Sequence, residues 1–158
     1  MLSRLVEEIR REPDPERVAE VLARCLHQPL LTPAQCAPDP DGYRQHVLHV
    51  EPGGAFSLVS LVWLPGQATC VHDHVSWCVV GTYLGAEEET SYRLDRDRLT
   101  PLATTVNPQG SATWLRPPGD IHRVRNATGG LVISIHVYGA DVLTLGSSIR
   151  RRYPQPVG

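Results

Sequence analysis

Gly66-Gln67-Ala68-Thr69-Cys70-Val71-His72-Asp73-His74-Val75-Ser76-Trp77-Cys78-Val79-Val80-Gly81-Thr82-Tyr83-Leu84-Gly85 is a run of β-branched and aromatic residues bracketed by glycines, which reads as short strands between turns. His72 and His74 flank Asp73, and on an extended strand residues two apart project from the same face. Two imidazoles then stand side by side in one interior, within reach of a single metal ion. A bare pair of this kind is also compatible with two core histidines or two surface ones.

The same texture continues on both sides. Strands are predicted near 43–50, 56–64, 69–72, 77–84, 88–95, 102–106, 111–116, 121–125 and 130–138, with turn residues between them and no intervening helix. Many short strands at regular spacing point to an all-β sandwich or barrel, in which closure removes exposed sheet edges. The N-terminus differs. Leu2, Leu5, Val6 and Ile9 recur at helical spacing up to Pro13, and Asp14-Pro15-Glu16 opens a second helix carrying Val18, Val21, Leu22, Cys25 and Leu26 on one face. Residues 1–28 are therefore read as a helical segment, 28–42 as a proline-broken connection over the surface, and 43–145 as the barrel, in a single domain spanning 1–158.

Composition narrows the function. The 158 residues are 41% hydrophobic and 20% charged, enough to bury a core, and the net charge of −2 argues against a partner made of nucleic acid. All 15 basic residues are arginine, so Schiff-base and lysine general-base chemistry are excluded. No apolar run suits a signal peptide or a membrane span, which gives an expectation of a cytoplasmic protein without a membrane partner. Cys25, Cys36, Cys70 and Cys78 form no CxxC or zinc-ribbon spacing. Cys25 is read as core, and Cys36 and Cys70 as ordinary thiols.

The spacing Gly66-x5-His72-x-His74-x3-Cys78-x6-Gly85 resembles the first motif of the cupins, with Cys78 where many cupins place a glutamate ligand. Pro117-x-Gly119-x-x-His122-x-x-x-Asn126 resembles the second motif and makes His122 the third ligand, while Gly110 falls one residue before its usual place. The resemblance implies a double-stranded β-helix barrel, or jelly roll, behind two N-terminal α-helices. Three neutral imidazoles leave open positions for substrate and O2 or water, with ferrous iron the leading ion and zinc the second.

In Ile133-Ser134-Ile135-His136-Val137-Tyr138 the polar residues alternate with aliphatics, so Ser134, His136 and Tyr138 share a face. That face is either solvated or a buried relay of hydrogen bonds ending at the phenol, since each unpaired buried group would cost about 1–3 kcal/mol. These elements, together with Phe56-Ser57-Leu58 leading into Trp63, resemble the thiol dioxygenases, the cysteine dioxygenase family of cupins. The likeness implies a mononuclear non-haem Fe(2+) site at His72, His74 and His122 that converts a small thiol and O2 into a sulfinate, with Tyr138 oriented by His136 and Ser134.

Two positions bear on the subtype. Mammalian-type members carry an arginine two residues after a tyrosine to pair with the substrate carboxylate. Here Tyr43-Arg44-Gln45 puts Gln45 there, similar to the bacterial glutamine type associated with 3-mercaptopropionate. An amide donates to a carboxylate but forms no bidentate ion pair, and Arg123, Arg125 or Arg150 remain candidates to supply charge. The resemblance also implies two readings of Cys78: a thioether to Tyr138, as in the mammalian type, or a packing residue beside an unmodified phenol. The rival functions are a cupin enzyme of another reaction type and a non-catalytic cupin that binds a small ligand or metal. Trp63, Trp77 and Trp114 are read as core or pocket wall, His27, His46 and His49 as structural or exposed, and Arg150–Arg152 as a solvated C-terminal stretch.

Overall fold

The computed structural model describes residues 1–154. Helices α1 (Leu2–Arg11) and α2 (Pro15–Cys25) lead through a 3-10 turn at Pro33–Cys36 into ten strands: β1 (Arg44–Val50), β2 (Ser57–Trp63), β3 (Val71–His74), β4 (Cys78–Leu84), β5 (Ala86–Asp95), β6 (Arg98–Pro108), β7 (Ala112–Leu115), β8 (His122–Arg125), β9 (Val132–Tyr138) and β10 (Ile149–Tyr153). A one-turn helix, α3 (Val142–Leu145), precedes β10. The strands form two five-stranded antiparallel sheets, ordered β1-β2-β9-β4-β7 and β10-β3-β8-β5-β6.

The central strands of the first sheet are covered on both faces, so β2 and β9 are buried along their whole length, while the edge strands β1 and β7 are not. Leu58, Val79, Ile135 and Val137 pack outward against Leu5, Ile9, Val18 and Leu22 of the helices. Val59, Leu61, Trp63, Cys78, Val80 and Tyr138 point inward and pack together with Val124 of the other sheet. The polar side of β9 is consequently the barrel interior, and its aliphatic side lies under the helices. A solvated outer face for Ser134, His136 and Tyr138 is thereby excluded.

Asp14 caps α2 as its sequence suggests, accepting from the Arg17 backbone N–H at 3.3 Å, with Pro15 at the first helical position. Arg10 of α1 reaches Glu51, just past β1, through Nε at 2.6 Å and a second nitrogen at 3.1 Å, which ties the helices to the barrel. At Gly81 helix α2 packs tightly on β4: a Cβ there would stand 2.7 Å from Leu22 Cδ2.

Three expectations need correction. The barrel does not stop at residue 145: Ile149–Tyr153 is a strand paired with β3, in which Arg150–Arg152 are solvated as expected while Tyr153 is buried. Strand β6 runs well beyond 102–106 because it forms a long hairpin with β5, paired from Ala86↔Pro108 to Asp95↔Arg98. Trp114 is 42% exposed on the edge strand β7, outside both core and cavity. No helix among the described residues is long and apolar enough to cross a membrane.

Overfilling the contact between α2 and β4 should be costly. Gly81→Val is expected to lower stability by about 1–3 kcal/mol, seen as a lower urea midpoint at unchanged slope. An unchanged midpoint would show that α2 does not bear on β4 as tightly as the geometry indicates.

Candidate metal centre

Strands β3 and β8 meet with His72 directly opposite His122, and His74 stands two residues further along β3 on the same face. The three rings are mutually edge-on, with centroids 4.8 Å (His72–His74), 4.8 Å (His72–His122) and 4.9 Å (His74–His122) apart. One nitrogen from each lies within 4.8 Å of the others, all three residues being buried.

Hydrogen bonds fix which nitrogens converge. Nδ1 of His72 donates to the Cys70 carbonyl, Nδ1 of His74 to Asp120 Oδ2 and Nδ1 of His122 to Glu89 Oε1, each at 2.9 Å. Carbonyls and ionised carboxylates only accept, so each ring carries its hydrogen on Nδ1 and presents the Nε2 lone pair inward. Asp120 is itself held by the His74 backbone N–H at 3.0 Å, and Glu89 by the Asn107 amide at 3.0 Å. Such partners orient metal-binding imidazoles and raise their basicity.

Electrostatics keep the two β3 rings neutral. Burial, joined by the neighbouring His122, lowers the His72 pKa from 6.5 to about 3, and burial also lowers that of His74. Desolvation pushes Glu89 and Asp120 upward, yet donation from His122 and His74 holds both below the usual carboxyl values. Three nitrogen donors, two of them backed by carboxylates, suit a divalent transition ion rather than magnesium or calcium, which prefer oxygen.

The second feature is on β9. The Tyr138 hydroxyl lies 3.1 Å from His136 Nδ1, and His136 Nε2 lies 2.9 Å from Ser134 Oγ, which also accepts the Trp63 indole N–H at 3.3 Å. Burial pushes the His136 pKa well below its ordinary value and the Tyr138 pKa well above, so the imidazole is neutral and the phenol protonated. The Tyr138 ring is 6.1 Å from that of His74. Cys78 on β4 pairs in register with Tyr138, and both are buried in the same interior cluster.

A cavity of about 40 Å³ joins these groups. His72, His74, His122, His136 and Tyr138 line it, together with Tyr43, Gln45, Leu61, Thr69, Val124, Ser147, Ser148 and Ile149. Tyr43 stacks at a tilt on Trp63, centroids 4.6 Å apart. No arginine is among the described residues of the wall. Arg150 is bound to Asp73, Arg125 to Glu88 at 2.9 Å, and Arg123 Nε faces the Thr69 carbonyl at 3.4 Å.

Sequence reasoning overlooked Asp120, Glu89, Glu87 and Ser148. A signal for the first lay inside the second motif, two residues before His122. For the acids it lay in Glu87-Glu88-Glu89, where strand alternation turns Glu88 outward to Arg125 and the other two inward. His46 and His49 are structural, bonded to the Ala37 carbonyl and to Glu51.

The buried neutral imidazoles make the metal-free protein acid-sensitive. An unfolded histidine takes its proton near 6.5, but folded His72 does not until about 3, so between these values the unfolded chain holds more protons and stability falls as the pH is lowered. His74 and His136 act in the same sense. Glu87, raised from 4.5 to about 8, opposes them over part of the range, one proton against three. The urea midpoint should drop from pH about 7 to about 5, by up to about 1.4 kcal/mol per pH unit for each uncompensated proton. A midpoint that rises on acidification would contradict buried neutral rings.

Similarity to known proteins agrees with this geometry. A family model described as cysteine dioxygenase type I matches residues 10–145. Among solved structures, a cupin 2 conserved barrel domain protein from Salinispora arenicola is 24% identical, covering 73% of this chain and 89% of its own, with a TM-score of 0.51. A protein from Thermus thermophilus is 21% identical over 72% of this chain and 98% of its own, also at 0.51. A double-stranded β-helix protein from Klebsiella pneumoniae is 17% identical over 72% and 86%, again at 0.51. These likenesses establish a cupin barrel, and because the family match extends from α1 to the end of α3, the chain belongs to the cysteine dioxygenase type I family.

Proposed function

We propose that this protein is an iron(II)-dependent thiol dioxygenase that converts a small thiol carboxylate, 3-mercaptopropionate or cysteine, and O2 into the corresponding sulfinate. The observation that carries the reading is the convergence of three inward Nε2 lone pairs and a relay-bound phenol on one small cavity. A plain metal store or ligand carrier has no need of a buried polar chain aimed at that space.

His72, His74 and His122 would hold the ion. When bound, iron(II) supplies the affinity for thiol sulfur and O2 and the redox capacity to place both oxygen atoms on sulfur. The chain's own residues do the rest. Gln45 donates its amide N–H to the substrate carboxylate, a role consistent with the engagement of Arg123, Arg125 and Arg150 elsewhere. Leu61, Val124 and Ile149 give the cavity an apolar wall, which limits water and strengthens the polar contacts inside it. Tyr138, with its oxygen fixed by His136, hydrogen-bonds the reacting end of the substrate. A cavity of this size favours a substrate of a few heavy atoms.

Cys78 belongs to the same reading. Directly opposite Tyr138 in the β4–β9 ladder, its Sγ would join the phenol ring as a thioether, with O2 as oxidant and two hydrogens lost overall.

Oxygen uptake and sulfinate formation with a panel of small thiols test the function. Iron-loaded protein is expected to oxidise 3-mercaptopropionate at least as well as cysteine, and zinc-loaded protein to be inactive. Gln45→Ala should raise KM for thiol carboxylates about 10-fold, with a smaller effect on kcat. Full activity with zinc would overturn the metal assignment, and strict preference for L-cysteine with the amino-free acid ignored would overturn the role given to Gln45.

Intact-mass measurement after aerobic turnover tests the thioether. A species two hydrogens lighter should form and be absent from both Cys78→Ala and Tyr138→Phe. An unchanged mass after many turnovers would make Cys78 a packing residue.

A further inference from the structure

Glu87 is a buried carboxyl with no role so far. It is 1% exposed in β5, and neither carboxylate oxygen has a hydrogen-bond partner among the described residues. Burying a carboxyl in this way is unfavourable, and a natural sequence keeps such a group where it does something. What it faces is the far end of the relay: Glu87 Oε1 is 3.9 Å from His136 Nε2, and the Ser134 hydroxyl stands beside it.

The surroundings supply no cation. Glu89 on the same strand is a second carboxylate, already committed to His122 and Asn107. Asn107, across the β5–β6 ladder from Glu87, gives its amide to Glu89. Ser134, His136 and Tyr138 on β9 and the Cys78 thiol on β4 complete the set. Burial raises the Glu87 pKa to about 8, with Ser134 pulling it down and Glu89 pushing it up.

We propose that Glu87 is the terminal positioning residue of the relay: acting through Ser134, its carboxyl sets which nitrogen of His136 carries the hydrogen, and so whether Tyr138 offers its O–H or its lone pairs to the cavity.

The hydrogens count out in only two ways. Ser134 Oγ already accepts from Trp63, and its single hydrogen has two candidate acceptors, His136 Nε2 and Glu87. With Glu87 ionised, Ser134 donates to the carboxylate, His136 donates from Nε2 to Ser134, and Nδ1 accepts the Tyr138 hydrogen. The phenol then turns lone pairs to the cavity. With Glu87 protonated, its O–H donates to Ser134, Ser134 donates to Nε2, and Nδ1–H donates to the Tyr138 oxygen. The phenol O–H then points into the cavity. Interconversion shifts one hydrogen along each bond of the chain, so a proton taken up at Tyr138 ends on Glu87, with no electron transferred and no bond between heavy atoms broken.

The purpose, though not the hydrogen arrangement, rests on the thiol-oxidation reading. A thiol that binds as thiolate releases one proton, and above about pH 8, where Glu87 is ionised, the relay would take it up without charging the imidazole.

The test is nitrogen-15 NMR of the His136 ring in the zinc-loaded full chain, from about pH 6 to about pH 10. In wild type the hydrogen should move from Nδ1 to Nε2 as pH rises, with a midpoint near 8. Glu87→Gln, of the same size but with no proton to lose, should abolish the transition. A tautomer fixed across the range in wild type, or the same midpoint in Glu87→Gln, would overturn the proposal, and the wild-type titration decides even if the variant folds poorly. The pH profile of sulfinate formation by iron-loaded protein should lose the same inflection in Glu87→Gln. If no thiol is oxidised while the tautomer transition stands, the thiol reading falls and the role of Glu87 in the relay does not.

Discussion

Strand β3 is held into its sheet almost entirely from one side. Toward β8 it has a single registered pair, His72 with His122, whereas toward β10 four of its residues are paired. The β10 side compensates. Asp73, between the two ligand candidates and pointing away from them, accepts from the Arg150 guanidinium, the Arg151 backbone N–H at 3.0 Å and the Tyr153 hydroxyl at 2.8 Å. The carboxylate is buried, so these charge-assisted bonds are stronger than surface pairs. His72 and His74 are thus placed from behind, through the residue that separates them.

The opposite sheet solves a different problem. Its strands must be apolar on the helix side and tolerate polar groups on the interior side, and β9 meets both demands by alternation. Ile135 and Val137 are clamped under α2, which leaves Ser134, His136 and Tyr138 no alternative but the interior. The helices are therefore part of the centre although they touch none of it. A one-residue slip of β9 would turn the relay into the helix interface and drive aliphatic side chains into the metal cavity.

Much of this was legible locally. The H-x-H pair, the spacing around His122, the alternation along β9 and the Asp14-Pro15 helix start are all short-range patterns, and each lies where strand or helix periodicity puts it. Asp120 and Glu89 left a local signal as inward polar residues, but which imidazole each one holds was not legible, because Asp120 lies 46 residues from His74 and Glu89 lies 33 from His122, and no periodicity links residues so far apart. Strand β10 was hidden for another reason. Ile149-Arg150-Arg151-Arg152-Tyr153 has no alternation of apolar and polar residues, since an edge strand with one free side favours charge as a guard against further pairing. The exposure of Trp114 on β7 is likewise an edge effect that composition does not reveal.

The clamp on Asp73 also has a consequence for biosynthesis. Of all the described elements, β10 is the last to be translated, some 80 residues after β3. At roughly 5–20 residues per second the nascent chain spends about 4–16 s with β3 made and its main partner missing. During that interval the His72 and His74 rings lack the support that places them, and the bare edge of β3 is open to pairing with other chains. The support behind His72 and His74 is therefore complete only once the chain has been made through residue 153.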